Sequence, residues 1–209
     1  MKKYLVEFIG TFFLVLAIGM AVIDPGGAGN LAPIAIGATL MVMVFAGGHV
    51  SGAHYNPAVT LAVWLRGRCA AGDVPFYLAA QILGAWLAAT TVLFFKGHPV
   101  VEAKEIQIIP ALVAELIGTF ALAYVVLNVA TAKATAGNSN YGLAIGFTVT
   151  AMAYVLGGVS GGAFNPAVAV GITKMHLVDS MHLWVYFVAD LGAGALAALT
   201  FKFINPEDK

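Results

Sequence analysis

The sequence predicts an all-α membrane protein with six transmembrane helices and two re-entrant half-helices, arranged as an inverted repeat. Its apolar composition, an internal duplication and a doubled Asn-Pro pair predict this class. Hydrophobic residues fill 61% of the 209 positions, charged residues only 10%, and mean hydropathy is +0.92, more apolar than a soluble core can hide. Ser-Gly-Ala-His-Tyr-Asn-Pro-Ala-Val-Thr at 51–60 returns as Ser-Gly-Gly-Ala-Phe-Asn-Pro-Ala-Val-Ala at 160–169, so Asn56 and Asn165 are 109 residues apart (165 − 56). Ala35, Ile36, Gly37 and Thr39 answer Ala144, Ile145, Gly146 and Thr148 at the same offset. Glu7, Gly10, Thr11 and Phe12 answer Glu115, Gly118, Thr119 and Phe120 at an offset of 108 (115 − 7).

Apolar runs near 4–23, 31–50, 75–95, 109–130, 141–158 and 182–203 are long enough to cross roughly 30 Å of hydrocarbon as helices. Lys2 and Lys3 give the first run the look of a signal peptide. Its twin at 109–130 argues instead that it is a retained span. Pro25-Gly26-Gly27, Gly72 to Pro75, Gly97 to Pro99 and Gly137 to Asn140 punctuate the joints. None is a long linker, so residues 1–209 are expected to form one domain, with repeat one at 1–96 and repeat two at 109–209.

Three crossings per repeat is an odd number, so the second copy enters the membrane from the opposite face. With the N-terminus inside, Lys2, Lys3, Arg66, Arg68, Lys133, Lys202 and Lys209 are cytoplasmic, and Lys96, Lys104 and Lys174 lie outside. The excess of inner cations favours cytoplasmic termini. The expected absence of a cleavable leader and the basic inner loops fit a plasma or bacterial inner membrane.

Each Asn-Pro pair reads as a helix start, since Asn is a strong N-cap and Pro at the first helical position loses no needed hydrogen bond. Ala58 to Leu65 and Ala167 to Ile172 follow, apolar but too short to span a bilayer. Non-helical backbone at Gly52-Ala53 and Gly161-Gly162 is tolerable at membrane depth only where protein encloses it or it lines a watery path. Two half-helices of opposite polarity therefore point their N-termini at one spot. Each end carries about half a positive charge, so at roughly 4 Å and an effective dielectric of about 20 the pair opposes a cation by on the order of 4 kcal/mol. The Asn56 and Asn165 amides offer N–H donors to neutral oxygen-bearing molecules once their oxygens cap the helices.

Ten basic and ten acidic residues cancel, and no charged face for nucleic acid is expected. Cys69 is alone, which excludes an internal disulfide framework. Ser51 and His54 lack an acid partner and a nucleophile-elbow context, so hydrolase chemistry is rejected and no enzymatic activity is expected. No second copy preserves His49 or His54, and neither a metal nor a cofactor is expected. Gly142-x-x-x-Gly146, Gly157-x-x-x-Gly161 and Gly48-x-x-x-Gly52 are read as close crossings. Asp190, whose counterpart is Gln81, is read as a buried structural acid rather than a proton relay.

The paired Asn56-Pro57-Ala58 and Asn165-Pro166-Ala167 motifs, the repeated Glu and the six spans make the chain resemble the aquaporin, or major intrinsic protein, family. The resemblance covers nearly the whole chain. It implies a right-handed bundle, a pore in every protomer, a homotetramer in lipid, and passage of water and small neutral solutes without ions or protons. It also implies that Glu7 and Glu115 accept hydrogen bonds from the re-entrant loops and that His54 serves the first loop. Family members usually carry Arg after the second Asn-Pro-Ala, in the outer filter; here that residue is Val168. The other filter positions, counted from the motifs, are Ile36, Ala153 and Gly162, with Tyr154 entering only if the register shifts by one. Such a filter should be wide, with carbonyls from about Ser160 to Ala163 as polar guides, so glycerol, urea, ammonia or hydrogen peroxide become candidate solutes. A secondary transporter, which inverted repeats also build, and a non-transporting adhesion protein are the alternatives.

Overall fold

A computed structural model describes residues 1–208; Lys209, one of the expected inner cations, lies outside the described residues. The six long helices are α1 (Lys2–Val22), α2 (Ala32–Ser51), α4 (Val74–Phe95), α5 (Ile108–Val126), α6 (Tyr141–Ser160) and α8 (Leu183–Ile204), and the half-helices are α3 (Pro57–Leu65) and α7 (Pro166–Lys174). A π-helical turn, Leu127–Thr131, extends α5. All six long helices, with their short flanking turns, are long and apolar enough to cross a membrane. The chain is a multi-pass membrane protein.

Helix ends follow local chemistry. α2 and α6 stop where Gly52 (φ 87°) and Gly161 (φ 93°) enter the left-handed region that favours glycine. Each half-helix starts from an extended Asn with Pro at the first turn.

Packing repeats the duplication in space. α1 lies against α2 and α4, α5 lies against α6 and α8, and α2 against α6 joins the two halves. The half-helices cross over, α3 packing on α8 and α7 on α4. Glycines permit these approaches: a Cβ at Gly194 would stand 2.4 Å from the Ala58 carbonyl oxygen, and one at Gly84 would stand 2.5 Å from that of Phe8. Gly37 and Gly146 meet in the same way, each added Cβ falling within 2.6 Å of the other's carbonyl oxygen. Away from these seams, Leu5, Ile9 and Phe13 on α1 and Leu83, Trp86 and Leu87 on α4 face outward. Apolar side chains at helical spacing on the outside suit hydrocarbon as solvent.

On the cytoplasmic side expected from the cations, the Lys3 ammonium and the Tyr4 hydroxyl both bind the Asp73 carboxylate. Asp208 accepts from Arg66 (2.5 Å) and from the Lys133 backbone (2.8 Å). These donors hold its carboxyl below the usual range, the Lys133 amide first.

Candidate transport path

Asn56 and Asn165 build the centre of the molecule. The Asn56 side-chain oxygen caps α3 by accepting from the Ala58 N–H (2.8 Å) and, more weakly, from Val59 (3.4 Å). Asn165 caps α7 through Ala167 (2.9 Å) and Val168 (3.4 Å). The amide nitrogens then tie the loops together: Asn56 Nδ2 donates to the Phe164 carbonyl and Asn165 Nδ2 to the Tyr55 carbonyl, both at 2.9 Å. The two half-helices therefore meet N-terminus to N-terminus. This corrects one detail of the sequence reading, because each amide spends one of its two N–H donors on the opposite loop, leaving one to face a solute.

Equivalent carboxylates hold the loops from behind. Glu7 accepts from the Ser51 hydroxyl (2.6 Å) and from the backbone of His54 (2.9 Å) and Tyr55 (2.6 Å). Glu115 accepts from the Ser160 hydroxyl, Ala163 N–H (3.0 Å) and Phe164 N–H (2.6 Å). Ser51 is thus a loop anchor, in keeping with the rejection of hydrolase chemistry. Tyr77 and Tyr186 complete the mirrored arrangement by donating to the carbonyls of Ser51 and Ser160. The loops bend through positive φ at Ala53 (51°) and Tyr55 (49°), and at Gly162 (69°) and Phe164 (49°). Strain of this kind persists where the surroundings over-determine the backbone, here through the carboxylate anchors.

The repeats differ one layer further out. Gln81 donates to Glu7 (2.8 Å) and to Thr60 (2.9 Å), and Thr60 faces His54 Nδ1 at 3.2 Å. In the second repeat Asp190, fully buried, accepts from Thr119 (2.7 Å), and Glu115 lies beside it. Asp190 is embedded behind α7 and does not line the cavities.

Two cavities flank the centre. The one on the side expected to be outer, called the outer cavity, is about 310 Å³ and reaches from Val22, Ala32 and Lys104 to both motif asparagines; the one on the expected cytoplasmic side, the inner cavity, is about 790 Å³ and is lined by Gly48, His49, Arg68, Cys69 and Lys133 among others. His54, Val126 and Ile145 line both, so the spaces adjoin there. Helical spacing produces the walls, as in Leu14, Ile18 and Val22 on α1 and Ile145, Val149, Ala153 and Gly157 on α6.

All four residues counted as filter positions, Ile36, Ala153, Gly162 and Val168, line the outer cavity together. Tyr154 does not; its hydroxyl donates to the Asn30 carbonyl (2.8 Å). Ser160 is also outside the lining, because Tyr186 takes its carbonyl, so the free polar backbone begins at Gly161. Gly157 allows the close loop approach that its spacing predicts, since a Cβ at Gly162 would stand 3.0 Å from the Gly157 Cα; a Cβ on Gly157 itself meets nothing within 4 Å, and the residue also opens on the cavity. Its exposure was foreshadowed only by its place one turn beyond Ala153. Gly157→Val should accordingly fold normally while slowing glycerol more than water, read as the ratio of the two permeabilities in proteoliposomes.

Mirrored half-helices joined at their N-termini, between two adjoining cavities inside a six-helix bundle, define a transmembrane channel. The sequence profile described as major intrinsic protein matches residues 1–201. Aquaporin NIP1-1 of Zea mays is 38% identical over 219 residues, covering 98% of this chain and 76% of that one. Glycerol uptake facilitator protein-like 6 of Lactiplantibacillus plantarum is 34% identical over 218 residues and matches end to end, 100% of each chain. The aquaglyceroporin from Plasmodium falciparum shares the fold at a TM-score of 0.83 and 23% identity, covering 98% of this chain and 97% of that one. The chain belongs to the major intrinsic protein family. It is a passive channel for water and small solutes, not an enzyme.

Proposed function

We propose that this channel conducts water together with small uncharged solutes of glycerol or urea size, and excludes ions and protons. The observation that carries the reading is the mostly apolar, carboxylate-free lining of the outer cavity, which Val168 shares with Ile36, Ala153 and Gly162. A small neutral solute there loses little solvation that the remaining Asn donors and the Gly161 to Ala163 backbone cannot replace. A cation meets two half-helix N-termini and an apolar wall. In this reading Asn56, Pro57, Ala58 and Asn165, Pro166, Ala167 form the central constriction, and Glu7, Glu115 and His54 hold the loops that shape it.

Residues 1–209 act as one channel unit made of repeats 1–96 and 109–209. Four such units, each with its own pore, form a homotetramer in the cell membrane of a bacterium or archaeon, with both termini cytoplasmic and lipid against the exposed apolar faces. The test is stopped-flow light scattering on proteoliposomes under water, glycerol and urea gradients. Fluxes no faster than those of empty vesicles would end the proposal. Asn56→Asp, which places an anion at the α3 N-terminus, should raise sodium leak in a folded protein. An unaltered leak would remove the electrostatic part of the reading.

A further inference from the structure

Lys104 is the one charged residue among those lining the outer cavity, and no carboxylate shares that lining. Its backbone is fixed: the N–H donates to the Leu177 carbonyl (3.0 Å), and a parallel bridge pairs it with Val178, just beyond the end of α7. Leu177 and Val178 line the same cavity. The loop between the repeats is thereby stitched to the rim of the second re-entrant segment, and Lys104 is held at the mouth.

The other two lysines on this side are engaged elsewhere. Lys96 donates to the Pro25 carbonyl (2.7 Å), and the Lys174 ammonium sits 3.8 Å from the centre of the Trp86 ring. The Lys104 ammonium makes no hydrogen bond or ion pair among the described residues. Its neighbours Glu102 and Glu105 are exposed, do not line the cavity and form no salt bridge with it.

We infer that Lys104 is a charge-selectivity residue of this pore, supplying from the inter-repeat loop the fixed positive charge that the Val168 filter lacks. The inference rests on the proposed neutral-solute pore. A cation approaching the mouth meets this charge before the half-helix ends, whereas a neutral solute does not feel it as a net force. Because the mouth is open to solvent, the effect is screened by salt.

The test compares guanidinium with urea, two planar molecules of nearly equal size that differ in charge. Tracer uptake is measured in proteoliposomes with valinomycin and potassium clamping the voltage, at low and high salt. The variants are Lys104→Met, Lys104→Glu and Lys104→Arg. Lys104→Met should raise the guanidinium-to-urea ratio roughly twofold to thirtyfold at low salt, the range Coulomb's law gives at ~8 Å between water-like and protein-like dielectrics. Lys104→Glu should raise it further, Lys104→Arg should restore it, and high salt should shrink every difference. Equal ratios in all four proteins at low salt would overturn the inference, as would loss of urea and water flux in Lys104→Met, which would make the residue a structural anchor. Wild-type vesicles no faster than empty ones for either water or urea would instead overturn the pore reading beneath it.

Discussion

Val168→Arg is expected to lower glycerol permeability by about tenfold, equivalent to about 1.4 kcal/mol of added barrier, while water falls much less. Val168 is buried and lines the outer cavity at the first turn of α7, as do Ile36 and Ala153 from α2 and α6. A guanidinium placed there fills space that a three-carbon solute needs and adds a charge at the half-helix N-terminus. Water, being smaller and able to bind the new donors, tolerates both changes. The measurement is the glycerol-to-water permeability ratio in the same proteoliposomes. An unchanged ratio would mean that position 168 does not limit passage.

Glu115→Ala is expected to unfold the second loop. Ser160, Ala163 and Phe164 would lose their acceptor in a buried setting, at a cost of about 1–3 kcal/mol for each unsatisfied group. The Phe164 carbonyl also receives Asn56, so the damage should reach the first motif. Thermal unfolding in detergent should show a large loss for Glu115→Ala and a smaller one for Glu115→Gln, which keeps one oxygen acceptor. Glu7→Ala should behave alike, because its partners are the counterparts. Wild-type stability and water flux in Glu115→Ala would show that the loop does not depend on this carboxylate.

Much of this architecture was legible beforehand. The expected span at 31–50 is observed as Ala32–Ser51, and that at 182–203 as Leu183–Ile204. Apolar length, glycine stops and Asn-Pro starts are local signals, and the duplication allowed each to be checked against its copy. The expected run at 109–130 proved less regular, because α5 gives way to the π-helical turn at Leu127. The four positions counted from the motifs, Ile36, Ala153, Gly162 and Val168, line one cavity, since a rigid half-helix and its neighbours keep register.

Gly157 shows where such reading stops. Glycine four residues from glycine marks a smooth helix face, and whether that face meets another helix or open space depends on elements distant in sequence. Asp190 illustrates the same limit, its partner Thr119 lying 71 residues away (190 − 119). Lys104 could be placed outside by charge counting, yet only its pairing with the Leu177–Val178 segment brings it to the mouth.

By itself, the order of residues determined the class of protein, its six crossings and the two capped half-helices, because hydrocarbon demands long apolar helices and Asn-Pro demands a start. Tertiary structure alone decided that each motif asparagine clasps the opposite loop, that Gly157 faces open space, and which lysine is free at the mouth. Those facts rest on contacts between segments whose mutual distance no periodicity encodes.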